Sequence, residues 1–125
     1  MLQMTMSEAL FGTVHVIDIP LTVTPEAGSK QIGSMQGTAV AVPEADPSIF
    51  SLVFTLVFTE GKYNGSTLAV LSRNPLSEKT RELPILGGTE VFRFARGYAI
   101  TSTYFRYDPK IGLGIYEYDL YILPY

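Results

Sequence analysis

Few residues in this chain offer acid–base or nucleophilic chemistry. His15 and Asp18 could form a triad with a serine, but a triad is recognised by its geometry, which no spacing here fixes. We therefore interpret His15 as a strand residue whose ring is hydrogen-bonded. Glu117 and Asp119 share one face of a C-terminal strand; we expect that face to be solvated, with entry of one carboxylate into a barrel as the alternative.

The composition excludes several kinds of site. The 125 residues contain no cysteine and one histidine, which excludes disulfides, thiol nucleophiles, thiolate metal sites and multi-histidine metal sites. A net charge of −3, with lysines and arginines scattered along the chain, argues against a nucleic-acid partner held by phosphate contacts. No glycine pattern opens a helix that could cradle a phosphate. We predict a protein without a metal or a cofactor.

Alternating residue patterns between turn signals predict an all-β protein with a single domain, 1–125. The strongest strand is 49–60, which has one face of phenylalanine and leucine and one rich in β-branched residues. Seven strands joined by short turns imply an antiparallel barrel or a sandwich. The predicted strands are 11–18 (ended by Ile19-Pro20), 31–42, 49–60, 66–72, 83–86, 92–106 and 114–123, with a long polar loop at 73–81.

The stretch 87–98 places an arginine among aromatic residues. Gly87-Gly88 predicts a chain reversal, because glycine adopts positive φ without steric cost. In the strand that follows, Arg96 lies in line with three aromatic residues. We favour a solvated strand end for this arginine over an enclosed and paired one. The shared face is predicted to contain Phe92, Phe94, Arg96 and Tyr98.

Asn64 supports two interpretations. Asn64-Gly65 is the strongest short signal for a hairpin turn, and it predicts a hairpin over 60–65. The same asparagine begins the sequon Asn64-Gly65-Ser66, which makes it a candidate glycosylation site at the hairpin tip. Most of the seven phenylalanines and eight tyrosines are expected in the core, although some could line a pocket for a flat apolar ligand.

The N-terminal residues carry no recognisable targeting signal. Residues 1–10 lack the basic start and apolar run of a secretory signal, and no stretch approaches the ~20 apolar residues of a membrane helix. We expect a soluble protein that acts in the cytoplasm or follows a removed leader.

Several motifs together resemble the plant dirigent family. They occur in the family's order and cover nearly all of the chain from Phe11 onward. The motifs are Phe11-Gly12-Thr13-Val14, 17–22, Gln36-Gly37, the hairpin 58–68, Arg73-Asn74-Pro75, Gly87-Gly88-Thr89, 92–98, Tyr116-Glu117-Tyr118 and the terminal Tyr125.

The resemblance implies an eight-stranded antiparallel β-barrel that forms homotrimers in the plant cell wall space. Many dirigent proteins steer the coupling of two phenoxy radicals, supplied by a laccase or peroxidase, into lignans or ordered lignin. We predict this coupling role for the chain. Some relatives that carry the hairpin instead convert isoflavanols to pterocarpans through a quinone methide and ring closure, which is the alternative. A jacalin-linked cytoplasmic branch suggests a non-catalytic domain that binds sugars or partners. The expected partners are phenolic small molecules and an external oxidase, without nucleic acid or membrane.

The two reactions make different demands on a site. Radical coupling requires only that two flat phenols are oriented, because ~1.4 kcal/mol changes a product ratio tenfold. Ring closure requires an acid, such as Asp or Tyr, that protonates a leaving hydroxyl. It also requires stabilisation of a developing quinone methide, which Arg81 could supply.

The family's pocket residues carry over to this chain in part. Arg81 matches the pocket arginine and is the predicted catalytic residue. Asn74 falls where lignan-forming members have an aspartate, and Ala39 and Ala41 fall where they have tyrosines. Asn74 is shared with the hairpin-bearing relatives, so these departures weaken the lignan hypothesis without changing the family. The predicted substrate-binding residues are Ala39, Ala41, Phe54, Asn74 and Phe92.

Two further departures bear on the fold. Glu90 replaces the glycine that follows Gly-Gly-Thr in the family, which strains the chain if positive φ is needed there. The family's first strand, with its His-Asp pair, has no counterpart in this sequence. The barrel is therefore expected to have seven strands and two open edges, unless residues 1–10 fill part of the gap.

Overall fold

The structure, a computed structural model, describes residues 2–3, 14–42, 49–108, 110 and 113–123. Its strands form a closed antiparallel barrel in which each strand pairs with the next along the chain and β1 pairs with β8. This confirms the predicted all-β barrel and excludes the sandwich. The strands are β1 (Leu2–Gln3), β2 (Val14–Thr22), β3 (Gln31–Ala41), β4 (Ile49–Phe58), β5 (Thr67–Pro75), β6 (Thr80–Thr89), β7 (Arg96–Asp108) and β8 (Leu113–Leu123), with 3₁₀ helices at Gly61–Tyr63 and Glu90–Phe92.

Strand β1 is only two residues long, yet it completes the ring. Leu2 pairs with Leu21 of β2 and with Tyr116 of β8, and Gln3 pairs with Ile115 of β8. The other strands of the described part are nine to thirteen residues long and form most of the wall. Part of the segment 1–10 therefore lies in the gap between β2 and β8, which was the alternative to a missing strand.

The barrel interior is the hydrophobic core, and β4 shows how the sequence builds it. Phe50, Leu52, Phe54, Leu56 and Phe58 are all buried, as the alternating pattern predicted. Residues between them face outward; Val53, for example, is 51% exposed. A leucine or phenylalanine removed from water contributes about 1.5–3 kcal/mol, so this face of β4 is a major source of stability.

The predicted loop 73–81 is wrong, because strand pairing continues through most of it. Strand β5 extends to Pro75 and β6 begins at Thr80, so only 76–79 form the turn. Polar residues, Asn74 and Arg81, occupy inward positions where an apolar residue is usual. A polar inner face hides the strand pattern in the sequence. Pro75 is tolerated because it is the last residue of its strand.

The predicted end of the first long strand at Ile19-Pro20 is also wrong. Strand β2 continues to Thr22, and Pro20 pairs with Ser34 of β3. In the described part of the chain, the other side of β2 has a single paired residue, Leu21, which pairs with Leu2 of β1. A proline can remain in a strand whose other edge is nearly free, because no ladder bond is lost there.

The chain reversal near Gly87-Gly88 lies a few residues later than predicted. Both glycines belong to β6 and pair with Ala69 and Leu68 of β5. Gly88 is needed for close approach rather than for a turn: a Cβ atom there would collide with the Thr67 carbonyl oxygen and lie 2.6 Å from the Phe92 Cβ.

The reversal itself is formed by residues 90–95. Two backbone bonds hold it: Arg93 N–H donates to the Glu90 carbonyl at 3.1 Å, and Ala95 N–H donates to the Phe92 carbonyl at 3.0 Å. The predicted face of Phe92, Phe94, Arg96 and Tyr98 is consequently wrong, since Phe92 is buried and Phe94 is 77% exposed. Arg96 starts β7 and is exposed, as we favoured.

Positive φ angles occur in two turns, the hairpin that contains Gly65 and the reversal that begins at Glu90. At the hairpin, Asn64 has φ −52° and ψ 130°, Gly65 has φ 87°, and Ser66 N–H donates to the Tyr63 carbonyl at 2.9 Å. These angles describe a type II turn, in which the third position favours glycine. Glu90 has φ 55°, so the strain expected from its replacement of a family glycine is present.

Candidate functional site

One end of the barrel interior is lined by polar side chains from β5 to β8. Strand pairing places Arg81 beside Thr101, Thr101 beside Tyr118, and Thr103 beside Tyr116. Most of these side chains are buried, whereas Tyr118 is half-buried and Thr103 lies at the exposed rim. We name this region the polar end; it comprises Ser72, Asn74, Arg81, Thr101, Thr103, Tyr116 and Tyr118.

Arg81 is at the centre of the polar end and is 3% exposed. Its Nε donates to Asn74 Oδ1 at 3.0 Å. Its Nη1 donates to the Glu78 backbone carbonyl at 3.2 Å and to Thr103 Oγ1 at 3.1 Å. These bonds fix the guanidinium plane; they use Nε and Nη1, and none of the three involves Nη2.

The charge of Arg81 is enclosed among neutral groups. No acidic side chain in the described part of the chain forms an ion pair with it; the ion pair found there joins Glu90 and Arg93 at the surface. Burial lowers the pKa of Arg81 from its ordinary value, while Tyr118, Tyr116 and Glu78 act in the opposite direction. An arginine remains protonated at neutral pH even so. The site therefore presents a buried cation to whatever enters it.

Two tyrosines of β8 adjoin this cation. The Tyr116 ring lies 5.9 Å from Arg81 Cζ, a cation–π contact. The Tyr118 ring meets the Phe54 ring edge-on, with centroids 6.3 Å apart. Burial raises the pKa of Tyr118 to about 12, against smaller opposing effects of Thr101 and the Arg81 charge. Tyr118 is therefore a neutral hydroxyl donor at physiological pH.

The structure brings most of the predicted site residues to this half of the interior. Ala41 pairs with Phe50, which pairs in turn with Asn74, the partner of Arg81. Ala39 is fully buried on the same wall, and Phe54 joins the group through its contact with Tyr118.

Phe92 lies at the other end of the barrel. Its ring centroid is 5.8 Å from that of Phe58 and 5.1 Å from that of Tyr63. The structure does not bring it together with Arg81. We name this second region the apolar end; it comprises Met35, Leu56, Phe58, Leu68, Ile85 and Phe92, all of them buried.

The carboxylates considered as acids face outward. Asp18, Glu117 and Asp119 are exposed, so the alternative that Glu117 or Asp119 enters the barrel is wrong. His15 lies on the inner face of β2 and Asp18 on the outer face, so they do not form a triad. The expectation of a hydrogen-bonded histidine ring is wrong for Nε2, which is buried without a partner among the described residues.

Sequence reasoning missed Thr103, Tyr116 and Tyr118 as site residues. The alternation of β8 already placed both tyrosines on one face, but nothing in the sequence showed which face is inner. The missing signal was register, since only the pairing of β6, β7 and β8 places these residues next to Arg81.

A concave region lies outside the barrel. It is an open groove of about 700 Å³ on β6, β7 and β8, and its lining includes Glu82 and Arg96. Tyr98 and Tyr121 stack in it with centroids 5.0 Å apart. None of the predicted site residues lines this groove. In the described part, no three histidine or acidic side chains cluster as metal ligands, and no helix is long and apolar enough to span a membrane.

A family model described as Dirigent-like protein matches residues 2–123. The chain belongs to the dirigent family. Dirigent protein 1 of Arabidopsis thaliana is 46% identical over 113 residues, which cover 90% of this chain and 59% of that protein. Pterocarpan synthase 1 of Glycyrrhiza echinata is 44% identical over 116 residues, covering 92% of this chain and 61% of that protein. The chain thus spans about three-fifths of the length of these relatives.

Solved structures from the dirigent family share the fold. One pterocarpan synthase dirigent protein matches with a TM-score of 0.87 and 40% identity, over 98% of this chain and 75% of its own. A second matches with a TM-score of 0.86 and 37% identity, over 99% of this chain and 84% of its own.

Proposed function

We propose that the barrel binds a flat phenolic substrate at its polar end and controls the stereochemistry of a reaction that passes through a quinone methide. The observation that carries this proposal is the buried guanidinium of Arg81, fixed by neutral partners and with Nη2 unused by them. Burying a cation that has no carboxylate partner in the described part of the chain is costly unless a ligand supplies the compensating charge or dipole. Such groups are typical of binding and catalytic sites.

Arg81 is suited to holding a phenolic oxygen. Negative charge develops on that oxygen when the phenol loses its proton, and again when a nucleophile adds to the quinone methide. A fixed cation in a water-poor site stabilises this charge. Because Asn74 and Thr103 are neutral, they orient the guanidinium without cancelling its charge. An aspartate in place of Asn74 would form an ion pair and weaken this effect.

Tyr118 supplies the acid that ring closure requires. Its raised pKa keeps the hydroxyl protonated at neutral pH. Strand pairing places Tyr118 of β8 and Arg81 of β6 on either side of Thr101 of β7. A positioned hydroxyl can donate a proton to a leaving group. The described inner wall thus contains a donor as well as a cation, although it contains no carboxylate.

The ring closure balances without an oxidant. An isoflavanol loses its benzylic hydroxyl as water when the C–O bond breaks and Tyr118 donates a proton to the leaving oxygen. The phenol on the same ring gives its proton to solvent, and its oxygen becomes the quinone methide oxygen beside Arg81. A second phenolic hydroxyl of the substrate then adds to the benzylic carbon. Its proton returns to Tyr118 as the quinone methide oxygen regains a proton from solvent, so the net change is loss of one water.

The comparisons support this pterocarpan-synthase-like version. Two pterocarpan synthase dirigent proteins share the fold at 37–40% identity. The substitutions Asn74, Ala39 and Ala41 also depart from the pocket that the family resemblance implies for lignan formation.

Stereoselective coupling of monolignol radicals is the second candidate. The family resemblance implies this role for many members, and Dirigent protein 1 of Arabidopsis thaliana is 46% identical to the chain. Coupling needs orientation but no proton donor, so a polar end without carboxylates also suits it. An external laccase or peroxidase would supply the radicals, and the polar end would fix which faces meet.

Two assays with the same protein separate these candidates. In the first, an isoflavanol is incubated with the protein alone, and the products are resolved by chiral chromatography. We expect one pterocarpan enantiomer to form faster than in buffer. In the second, coniferyl alcohol and a laccase are incubated with and without the protein. Enantiomeric excess only in the second assay would support coupling, and no effect in either would contradict both versions.

The family resemblance also motivates proposals about the protein's setting. We propose that the chain acts as a homotrimer in the cell wall space and carries a glycan on Asn64, which is exposed at the hairpin turn. Light scattering of the purified protein tests the trimer.

Deglycosylation of the plant-expressed protein tests the glycan on Asn64. We expect a decrease in mass that Asn64→Gln abolishes, and an unchanged mass would contradict the proposal.

A further inference from the structure

His15 is the only histidine of the chain, and it lies on the inner wall of the barrel. It is half-buried on β2, where it pairs with Ala39 of β3. Its ring meets the Phe50 ring edge-on, with centroids 6.2 Å apart and planes at 65°. The imidazole thus has an aromatic ring and a small alanine among its neighbours.

The Nε2 atom of His15 has no hydrogen-bond partner among the described residues, although it is buried. Buried polar atoms are nearly always paired, so an unpaired ring nitrogen in a protein interior needs an explanation. The explanation we test is that its partner is a ligand atom. A neutral imidazole offers one donor and one acceptor, and a hydroxyl can pair with either.

The position of His15 relative to Arg81 supports this explanation. Phe50 contacts the His15 ring, and its cross-strand neighbour is Asn74, which accepts the bond from Arg81 Nε. His15 and Arg81 therefore lie on either side of Phe50, in the same half of the interior. The other titratable groups of this inner wall, among the described residues, are Tyr116 and Tyr118.

We infer that His15 Nε2 forms a hydrogen bond with a hydroxyl of the bound phenolic ligand, away from the oxygen held by Arg81. This inference rests on the proposed function, because it concerns the same ligand. His15 would then be a specificity residue: it selects ligands that carry a hydroxyl at its end of the site and disfavours analogues that lack one. A site built to pair with a hydroxyl discriminates against the deoxy analogue because its own polar group is left unpaired.

The single histidine allows a direct test on the unmodified protein. Its ring C–H resonances can be followed by NMR at one fixed pH while an isoflavanol is added. We expect these resonances to shift with the same saturation curve as heat measured by calorimetry. If the ligand binds but the His15 resonances do not move, the inference is overturned while the proposed function stands. If no phenolic ligand binds, both are overturned.

Variants at position 15 sharpen the test. His15→Phe keeps an aromatic ring against Phe50 but removes the nitrogen, and we expect it to weaken isoflavanol binding about tenfold, the loss of one hydrogen bond. An analogue that lacks the phenolic hydroxyl assigned to His15, but keeps the one held by Arg81, should bind the wild type and His15→Phe equally. His15→Gln should recover part of the affinity, and Asp18→Asn, on the outer face of the same strand, should change nothing. Equal weakening for both ligands would indicate a packing role and overturn the inference.

Discussion

The two ends of this barrel interior are built by the same alternation of inward and outward residues, but their inward side chains differ in polarity. The apolar end is filled by leucine, isoleucine, methionine and phenylalanine side chains that are nearly inaccessible to water. The polar end places an arginine, an asparagine, threonines and tyrosines on inward positions of β5 to β8, and β5 and β6 contribute to both ends. Apolar burial stabilises the fold without further conditions, whereas each buried polar group must be paired to be tolerated.

The difference shows where the chain accepts a cost in stability. Arg81 is held by three hydrogen bonds to neutral partners, yet its charge has no counter-ion in the described part of the chain. A leucine in its place would be the simpler choice for a core. We interpret the polar end as a functional site. The stability contributed by the apolar end and by the rest of β4 offsets its cost.

Leu56→Ala tests the apolar end and has the largest expected effect. Leu56 is 1% exposed, and leucine-to-alanine changes in cores cost about 2–5 kcal/mol. We expect the free energy of unfolding in urea to fall by about 3 kcal/mol. Activity per folded molecule should stay near that of the wild type, measured well below the unfolding midpoint. A specific loss of activity in the folded variant would contradict the division between the two ends.

Arg81→Met tests the polar end, and we expect it to lower activity far more than stability. Loss of a fixed group that stabilises developing charge typically costs 10²–10³ in rate, so we expect the ring-closure rate to fall about 100-fold. The free energy of unfolding should change by less than about 2 kcal/mol, because methionine fills the space of a buried cation for which the described residues provide no counter-ion.

Arg73→Met is the matched control for Arg81→Met. Arg73 is on the same sheet, next to Asn74, but its side chain is exposed on the outer face of β5. It should retain full activity. Equal losses in the two variants would show that Arg81 acts through general charge and not through the site.

The titration of Tyr118 predicts a loss of stability at high pH. Its pKa is raised from 10 to about 12 in the folded protein, so the folded state holds the proton more tightly than the unfolded state does. The associated stability is complete below pH 10 and is lost as the pH rises from 10 to about 12. The half-buried position reduces the effect to about 1–2 kcal/mol. Denaturant unfolding should show this loss in the wild type and not in Tyr118→Phe; parallel curves would contradict it.

Asn74→Asp replaces one amide group of the polar end by a carboxylate of nearly the same size. The new carboxylate would lie about where Oδ1 now accepts from Arg81 Nε, and it would partly neutralise the guanidinium. We expect ring closure to slow about tenfold, while coupling assays with an external oxidase change less. An increase in ring-closure rate would argue that the charge of Arg81 is not used in that reaction.

Glu90→Gly has the smallest expected effect. Glu90 has φ 55°, and its ion pair with Arg93, at 3.6 Å, is exposed and contributes little. Glycine relieves the strain but increases the freedom of the unfolded chain, so a gain of less than about 1 kcal/mol is expected. Thermal unfolding measures it; a clear decrease in stability would show that the ion pair or the turn geometry matters more than strain.

The sequence was a good guide to apolar strands and a poor one to polar ones. The face of β4 that contains Phe50 and Leu56 followed directly from alternation. The segment around Asn74 and Arg81 was predicted as a loop, because inward polar residues cancel the contrast on which alternation depends. Arg81 itself was identified through the family resemblance and not through any pattern in the residues.

Tertiary register explains the remaining differences. The neighbours Thr103 and Tyr118 become part of the site only when β6, β7 and β8 align, and no local signal encodes that alignment. Likewise Gly88 looked like a turn residue but serves close packing against Phe92. His15 was assigned to a strand on correct grounds, whereas the lack of a partner for Nε2 could be seen only in three dimensions.

The most direct test of the central claim is a crystal structure of the protein with a bound isoflavanol. We predict the ligand inside the barrel at the polar end, with a phenolic oxygen within about 2.7–3.2 Å of Arg81 Nη2. A ligand bound instead in the outer groove against Tyr98 and Tyr121, with the polar end unchanged, would contradict the account.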